Sequence, residues 1–274
     1  MINNEILVFG NGFIGSRVGG DLDCAVSDRR INSFGDAQDE IEKHNPRIII
    51  NCIGHTGERN VDDCESDKDK TLSANVFVPL ILAEAAVRNK VKLIHVSSGC
   101  IYHFDYSKDT PIDEEKIPDF FDLFYSRSKI YSEMALKVLC NQYDILILRT
   151  RIPLDNRPHP KNLITKLINY KKIIDIPNSV AYLPDFMQAL RHLIEIDAKG
   201  VYNVVNKGAL RYSRLMDVYK KHVPDFTYEE VDYRNLKLTR TNLILSTEKL
   251  EKSGFKIRDI GEVLEECVKT YLKY

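Results

Sequence analysis

The sequence has no marked excess of charge of either sign and no long run of apolar residues. It contains 39 basic and 40 acidic residues among 274, and this balance argues against a general polyanion-binding protein. No apolar run approaches the roughly 20 residues that a membrane span needs, and the N-terminal segment lacks the basic and then apolar layout of a signal peptide. We therefore expect a soluble, cytoplasmic protein that binds neither nucleic acid nor membranes.

Cysteine does not occur in any arrangement that suggests a bridge or a metal site. The six cysteines include no Cys-x-x-Cys pair and have no close histidine partners at metal-ligand spacing. In a chain of this length we expect reduced core thiols and no metal. The sequence also has no internal repeat, and its hydrophobic content of 43% is enough for a sizeable core.

A glycine-rich turn directly follows the first apolar run. The run Ile6 to Phe9 predicts a buried strand, and after it come Gly10, Asn11, Gly12, Phe13, Ile14 and Gly15. Glycines at this spacing permit a tight turn and let backbone N–H groups approach a pyrophosphate at the start of the next helix. The segment therefore predicts a dinucleotide-binding turn.

The end of the predicted second strand, Leu22 to Ser27, bears on which dinucleotide is bound. Asp28 could hold a ribose 2′-hydroxyl, whereas Arg29 and Arg30 could accept a 2′-phosphate. Two adjacent guanidinium groups suit a phosphate. We therefore expect NADPH, with Arg30 as one of its contacts and NADH as the alternative.

Predicted strands and helices alternate through the first half of the chain. They cover residues 37–45, 47–52, 61–89 (with a break near Lys70), 91–96, 126–141 and 144–149. This alternation predicts an α/β fold in which residues 1–152 form a Rossmann-type, doubly wound parallel sheet. The elements of residues 153–274, including a strand at 201–205, are shorter. We expect these residues to form mainly a smaller substrate-binding lobe, with segments that return to the Rossmann domain.

Polar and small residues follow two of the predicted strands. In open α/β sheets, ligands bind outside the carboxyl ends of the strands. The third strand ends in residues that we expect to contact the cofactor, namely Asn51, Cys52, Ile53, Gly54 and Thr56. The next strand places Ser98 and Cys100 at the same edge. The loop 102–123 that follows is long for a connection, which suggests a functional role.

A tyrosine and a lysine occur four residues apart in the segment after this loop. Tyr125 and Lys129 share one face of the predicted helix. A nearby cation favours the phenolate and draws the pKa of a tyrosine down from about 10. Such a tyrosine can pass a proton to a carbonyl oxygen while a hydride arrives from elsewhere.

With these residues in view, the chain resembles the extended short-chain dehydrogenase/reductases. Within them it is similar to the dTDP-4-dehydrorhamnose reductase branch, and most similar to the bifunctional 3,5-epimerase/4-reductases of nucleotide-rhamnose synthesis. The motifs that carry the resemblance are Gly10 to Gly15, Thr56-Gly57, Asn60-Val61-Asp62, Cys64-Glu65, Gly99-Cys100-Ile101, Phe124-Tyr125-Ser126 with Lys129, Leu148-Arg149 with Arg151 and Pro153, Asn162 with Ile164-Thr165-Lys166, and Asp175 to Ser179.

The resemblance implies conversion of UDP-4-keto-6-deoxy-glucose to UDP-L-rhamnose with NADPH. It places Cys100 and Lys166 as the acid and base that exchange protons at C3 and C5, without saying which is which. It makes Tyr125 the proton donor, Lys129 the residue that orients the ribose, and Ser98 a hydrogen-bond partner of the ketone. Arg151 and Pro153 are implied to contact the cofactor. The implied substrate contacts are Glu58, Asn60, Tyr102 and Asn162. A nucleotide-sugar substrate and a homodimer are also implied.

Three other functions stay open. A plain 4-reductase would need no epimerising pair. An enzyme similar to GDP-fucose synthase would pair Cys100 with a histidine, for which His159 is a candidate. A non-catalytic NADP-binding subunit is disfavoured because Ser98, Tyr125 and Lys129 are all present. A 4,6-dehydratase is disfavoured because Gly99 and Cys100 stand where that chemistry needs an Asp-Glu pair.

Overall fold

The computed structural model describes residues 5–58, 60–170, 172–233 and 239–274. These residues form two compact units. The first unit comprises Met1–Ile101, Pro118–Arg149 and Leu193–Tyr202, and the second comprises Tyr102–Ile117, Thr150–His192 and Asn203–Tyr274. The division of the chain at residue 152 stays a prediction about domains.

A six-stranded sheet forms the first unit's centre. Its strands are β1 (Ile6–Phe9), β2 (Ala25–Ser27), β3 (Ile48–Asn51), β4 (Lys92–Ser98), β5 (Ile145–Thr150) and β9 (Gly200–Asn203). They are arranged in the order β2–β1–β3–β4–β5–β9, and β1 pairs in parallel with both β2 and β3, as β3 does with β4. The strand order reverses at β1, so the carboxyl ends of β1 and β3 border the crevice where such sheets bind ligands. The predicted α/β fold with a parallel central sheet is confirmed.

Helices cover this sheet because its strands are apolar on both faces. They are α1 (Phe13–Leu22), α2 (Phe34–His44), α3 (Lys68–Leu72), α4 (Val78–Asn89) and α5 (Phe124–Leu139). Leu7, Ile49, Leu93 and Ile147, one from each of four strands, are fully buried in the core beneath them. This packing holds the strands in place, and with them the strand ends that border the crevice.

One helical segment of this unit is long and apolar. Residues Lys68–Asn89 run through α3, a π-helical turn (Ser73–Phe77) and α4. By length and composition alone, this is the one segment of the described residues that could cross a membrane. Leu82, Ala83 and Ala86 pack in the first unit's core, so we assign it as a core helix. A 3-10 turn, Val61–Glu65, precedes it, which moves the predicted helix break from Lys70 to residues 66–67. The cytoplasmic location stays a prediction.

The second unit contains two small parallel sheets and a separate core. Strand β6 (Pro153–Leu154) pairs with β8 (Ala181–Tyr182), and β7 (Lys172–Ile174) pairs with β10 (Glu229–Val231). Its helices are α6 (Leu163–Tyr170), α7 (Leu183–Glu195, whose last turn falls in the first unit), α8 (Tyr212–His222), α9 (Glu248–Lys252) and α10 (Ile260–Tyr271). The core between α6, α8 and α10 includes Ile164, Leu215 and Leu264.

Candidate active site

The glycine turn between β1 and α1 has the geometry that a pyrophosphate requires. Gly10 has a φ of 96°, which side-chain-bearing residues rarely adopt. A Cβ on Gly15 would lie 1.8 Å from the Gly10 carbonyl oxygen, so only glycine lets the helix approach the turn this closely. Gly12 begins α1 without a side-chain cap, no acid lies in the first turn, and nothing described lies within 4 Å of where its Cβ would be. The N-terminus of α1 and this open space fit a dinucleotide phosphate.

The residues after β2 correct one part of the NADPH prediction, namely that two adjacent arginines are available for a 2′-phosphate. Arg29 does not offer its guanidinium to a ligand, because Nη2 donates to Asp36 Oδ1 at 3.0 Å and Asp39 Oδ2 at 2.9 Å. Arg30 is exposed and makes no hydrogen bond or ion pair within the described residues. A 2′-phosphate would therefore meet one free arginine here rather than two.

The residues after β3 include Gly54, which lies beside Lys129 of α5. Asn51 is fully buried, and its amide bonds inward to His95 Nδ1 at 3.1 Å and to the Ile53 N–H at 2.9 Å. Burial raises the pKa of the Cys52 thiol to about 12. Gly54 is exposed, and a Cβ there would lie 3.5 Å from Lys129 Nζ. The Asn51 side chain thus holds the backbone at the end of β3. Gly54 has no side chain and leaves space next to the Lys129 ammonium.

Tyr125 and Lys129 lie on the same face of α5, as predicted. Their exposed fractions are 7% and 4%. Burial lowers the pKa of Lys129 to about 8, an effect that the negative charge of Glu133 partly offsets. The Lys129 ammonium has no hydrogen-bond or ion-pair partner in the part of the chain that the structure describes. A buried cation with free donors is suited to hold an anion or a hydroxyl that arrives with a ligand.

Asn75 is a site residue that the sequence reasoning did not assign. It lies in the π-helical turn and is fully buried. Its amide accepts from the His55 N–H at 2.8 Å and donates to the His55 carbonyl and to Ser128 Oγ, both at 3.0 Å. Ser128 in turn donates to the Tyr125 carbonyl at 2.7 Å. Asn75 therefore fastens the loop after β3 to the helix that carries the tyrosine, and an asparagine within an apolar helical run was the signal for it.

Ser98 and Cys100 follow each other at the end of β4. Ser98 is 6% exposed, Cys100 is half-buried, and the Cys100 N–H donates to Ser98 Oγ at 3.1 Å. The serine hydroxyl therefore keeps its own proton available for another acceptor. Both residues reach the same end of the sheet as Gly54.

A carboxylate holds the start of α5. Leu123, the N-cap residue, gives no side-chain hydrogen bond. Instead, Glu65 Oε1 accepts from the Phe124 N–H at 2.6 Å, and the negative charge stabilises the helix N-terminus. The side chain of Glu65 thus fixes the backbone next to Tyr125.

The loop after Gly54 contains three of the predicted ligand contacts. Thr56 is half-buried and Glu58 is exposed. Asn60 caps the 3-10 turn, since its Oδ1 accepts from the Asp62 N–H at 2.9 Å. The ligand contacts of these residues stay predictions.

The remaining predicted residues lie in the second unit, where several are engaged in its own structure. Tyr102 is fully buried, and its hydroxyl donates to the Lys116 carbonyl at 3.2 Å. Arg151 is buried and donates to Asn178 Oδ1 at 2.7 Å and Thr241 Oγ1 at 3.0 Å.

The polar atoms of Asn162 are also turned inward. Its Nδ2 donates to the carbonyls of Asp155 and Arg157, both at 2.8 Å, and Oδ1 accepts from the Asp155 N–H at 3.0 Å. The structure gives Tyr102, Arg151 and Asn162 structural roles that the sequence did not indicate. Their ligand contacts, and that of Pro153 in β6, stay predictions.

Lys166 on α6 is partly buried. Burial lowers its pKa, and the positive charge of Lys161 adds to the effect. His159, three residues before Asn162, also has a lowered pKa because of burial. A lysine in this state loses its proton more readily than one in water.

Comparison with known proteins identifies relatives over most of the chain. The family model for the RmlD substrate binding domain matches residues 21–272. The chain is 31% identical to the bifunctional dTDP-4-dehydrorhamnose 3,5-epimerase/dTDP-4-dehydrorhamnose reductase of Arabidopsis thaliana, over 82% of this chain and 77% of that protein. It is 30% identical to a trifunctional UDP-glucose 4,6-dehydratase/UDP-4-keto-6-deoxy-D-glucose 3,5-epimerase/UDP-4-keto-L-rhamnose-reductase of the same plant, over 82% of this chain but 35% of that longer protein.

Solved structures share the fold over nearly the full length. The L780 UDP-rhamnose synthase of Acanthamoeba polyphaga mimivirus has a TM-score of 0.90 and 26% identity, with 97% of this chain and 98% of that chain covered. A dTDP-4-dehydrorhamnose reductase of Bacillus anthracis, solved in complex with NADP, has the same fold, with a TM-score of 0.82, 21% identity and coverage of 95% and 97%. The resemblance noted from the motifs is confirmed, and the chain belongs to the RmlD substrate binding domain family.

Proposed function

We propose that this chain is an NADPH-dependent enzyme that converts UDP-4-keto-6-deoxy-D-glucose to UDP-L-rhamnose by 3,5-epimerisation and 4-reduction. The observation that carries the reductase half is the buried Tyr125–Lys129 pair, whose ammonium has no hydrogen-bond or ion-pair partner among the residues that the structure describes and lies beside Gly54. The relatives that match most of the chain support the substrate class, since one is named a bifunctional epimerase/reductase and another a UDP-rhamnose synthase.

The reduction assigns one task to each polar group. Bound NADPH supplies the hydride for C4. Tyr125 gives its phenolic proton to the ketone oxygen, so that a C–H and an O–H bond form and the carbonyl becomes a hydroxyl. Ser98 donates a hydrogen bond to the same oxygen, and Lys129 holds a ribose hydroxyl while its charge stabilises the phenolate left behind.

The epimerisation half assigns Cys100 and Lys166 to the C–H bonds at C3 and C5. Both carbons are acidic because each lies next to the C4 carbonyl. One group removes a proton and the other returns one on the opposite face. The lowered pKa of Lys166 supports this role, because a partly desolvated lysine can act as a base or an acid near neutral pH.

Two experiments test the halves separately. The protein is incubated with UDP-4-keto-6-deoxy-glucose and NADPH in heavy water, and we expect deuterium at C3 and C5 of the product. Reduction at C4 without deuterium at these carbons leaves the plain 4-reductase as the function, and unchanged turnover by Cys100→Ser supports the same conclusion. Normal NADPH oxidation by Tyr125→Phe contradicts the reductase half.

The proposed assembly is a homodimer. Tyr131, Met134 and Val138 form an exposed apolar stripe along α5, and Phe77 is exposed in the π-helical turn. Apolar side chains at this spacing on one helix face suit packing against a second copy. Light scattering should give twice the chain mass for the native protein and a lower mass for Met134→Glu, and a monomeric native protein rejects the dimer.

A further inference from the structure

A buried ion pair lies one helical turn beyond Lys129. Glu133 is 2% exposed and Arg149 is fully buried. Arg149 donates from Nε and Nη2 to Glu133 Oε1 at 2.9 and 2.6 Å. Ser97 donates to the other carboxylate oxygen, Oε2, at 2.9 Å. Both oxygens of Glu133 are therefore occupied from the sheet side, by β4 and β5.

This arrangement decides what Lys129 can do. A lysine and a glutamate four residues apart on a helix are close enough to form an ion pair, yet Lys129 and Glu133 form none among the described residues. The groups that act on the charge of the ammonium also include the thiols of Cys52, Cys64 and Cys100, and burial keeps the nearby His95 uncharged by lowering its pKa well below the usual 6.5. Lys129, Glu133 and Arg149 together carry one surplus positive charge.

We propose that Arg149 is a positioning residue that, with Ser97, occupies Glu133 and so keeps the Lys129 ammonium available to Tyr125 and the cofactor ribose. The inference rests on the proposed reductase function of Tyr125 and Lys129. Without Arg149, the carboxylate is free to pair with Lys129. The ammonium is then drawn away from the phenol, and the surplus positive charge is lost.

The charges give opposite expectations for two single variants. Arg149→Met leaves a neutral Lys129–Glu133 pair, and it should raise the titration midpoint of Tyr125 by about one pH unit. Glu133→Gln leaves two cations and should lower the midpoint by a similar amount. The double variant restores one surplus charge, so its midpoint should return to within about 0.3 units of the native value.

The titration is measured by NMR on protein labelled at the tyrosine ζ-carbon. Comparison with Tyr125→Phe identifies the Tyr125 signal. The control is Lys92→Met, which also removes a buried cation. Lys92 lies at the start of β4, about 20 Å along the strand from Ser98 at its end, so this variant should leave the titration midpoint of Tyr125 unchanged. If Arg149→Met does not fold, Glu133→Gln and the double variant still test the signs.

Kinetics supply a second readout. Because Tyr125 must be protonated to reduce the ketone, the alkaline limb of kcat should move up in Arg149→Met and down in Glu133→Gln. The KM for NADPH should rise several-fold in Arg149→Met and recover in the double variant.

Tyr125 midpoints that move in the same direction in both single variants, or a double variant whose midpoint stays shifted, overturn the inference. A native protein that reduces no 4-keto sugar nucleotide rejects the proposed function instead, and the NMR titration still decides the inference.

Discussion

Replacing Lys129 by methionine should abolish reduction and yet stabilise the fold. The pKa of Lys129 is lowered from 10.5 to about 8, a difference of about 2.5 units, and each unit corresponds to about 1.4 kcal/mol. Burial of the charged ammonium therefore costs about 3–4 kcal/mol at neutral pH. Methionine has a similar length and no charge, so Lys129→Met should gain up to this amount.

The pH dependence distinguishes this explanation from improved packing. Because the pKa of Lys129 is lower in the folded protein, the unfolded chain binds more protons between pH 8 and 10.5. The stability of the native protein should therefore rise with pH across this window. The advantage of Lys129→Met should be largest below pH 8 and should shrink as the native lysine loses its proton.

Urea unfolding followed by circular dichroism at pH 7 and pH 10 measures both effects. Lys92→Met is the matched control, because Lys92 is also buried but has two carboxylate partners, Asp144 at 2.8 Å and Asp197 at 2.7 Å. Its loss should destabilise the protein at pH 7. A Lys129→Met variant that is less stable than the native protein at pH 7, or an advantage that does not change with pH, refutes the reasoning.

Three further predictions follow from the geometry. Asn75→Ala removes the amide that pairs with the partly buried His55 N–H and carbonyl and should cost about 2–4 kcal/mol in urea unfolding; a loss below about 1 kcal/mol contradicts the role of this amide. Gly15→Ala places a methyl group against the Gly10 carbonyl and should abolish NADPH binding measured by fluorescence, whereas Gly20→Ala, with open space around it, should retain binding. Arg30→Ala should weaken NADPH binding about tenfold and NADH binding little; equal effects on both show that Arg30 does not contact the 2′-phosphate.

The features whose place in the fold the sequence predicted are those that depend on local spacing. The glycine turn and the Tyr125–Lys129 pair each lie within a few residues, so helix periodicity and backbone sterics were enough to place them. The order of strands and helices was also local, since each element has its own apolar pattern and breaks. The parallel sheet then follows from the alternation.

Other features depend on partners that are distant in sequence. The engagement of Arg29 with Asp36 and Asp39 depends on how α2 begins. The role of Asn75 requires the π-helical turn, which has no clear sequence signal. Glu133 on α5 pairs with Arg149, which lies on β5. In each case the pairing is decided by tertiary packing, which local spacing does not specify.

Strand β9 carries a consequence for synthesis and truncation. It takes the sheet position beyond β5, although it lies some fifty residues later in the chain. A ribosome must therefore release residues up to about 203 before the first unit can complete its sheet, and until then the edge of β5 is open to strands of other chains. A fragment ending at residue 152 should accordingly aggregate, whereas a design that fuses residues 193–203 to this fragment should remain dispersed.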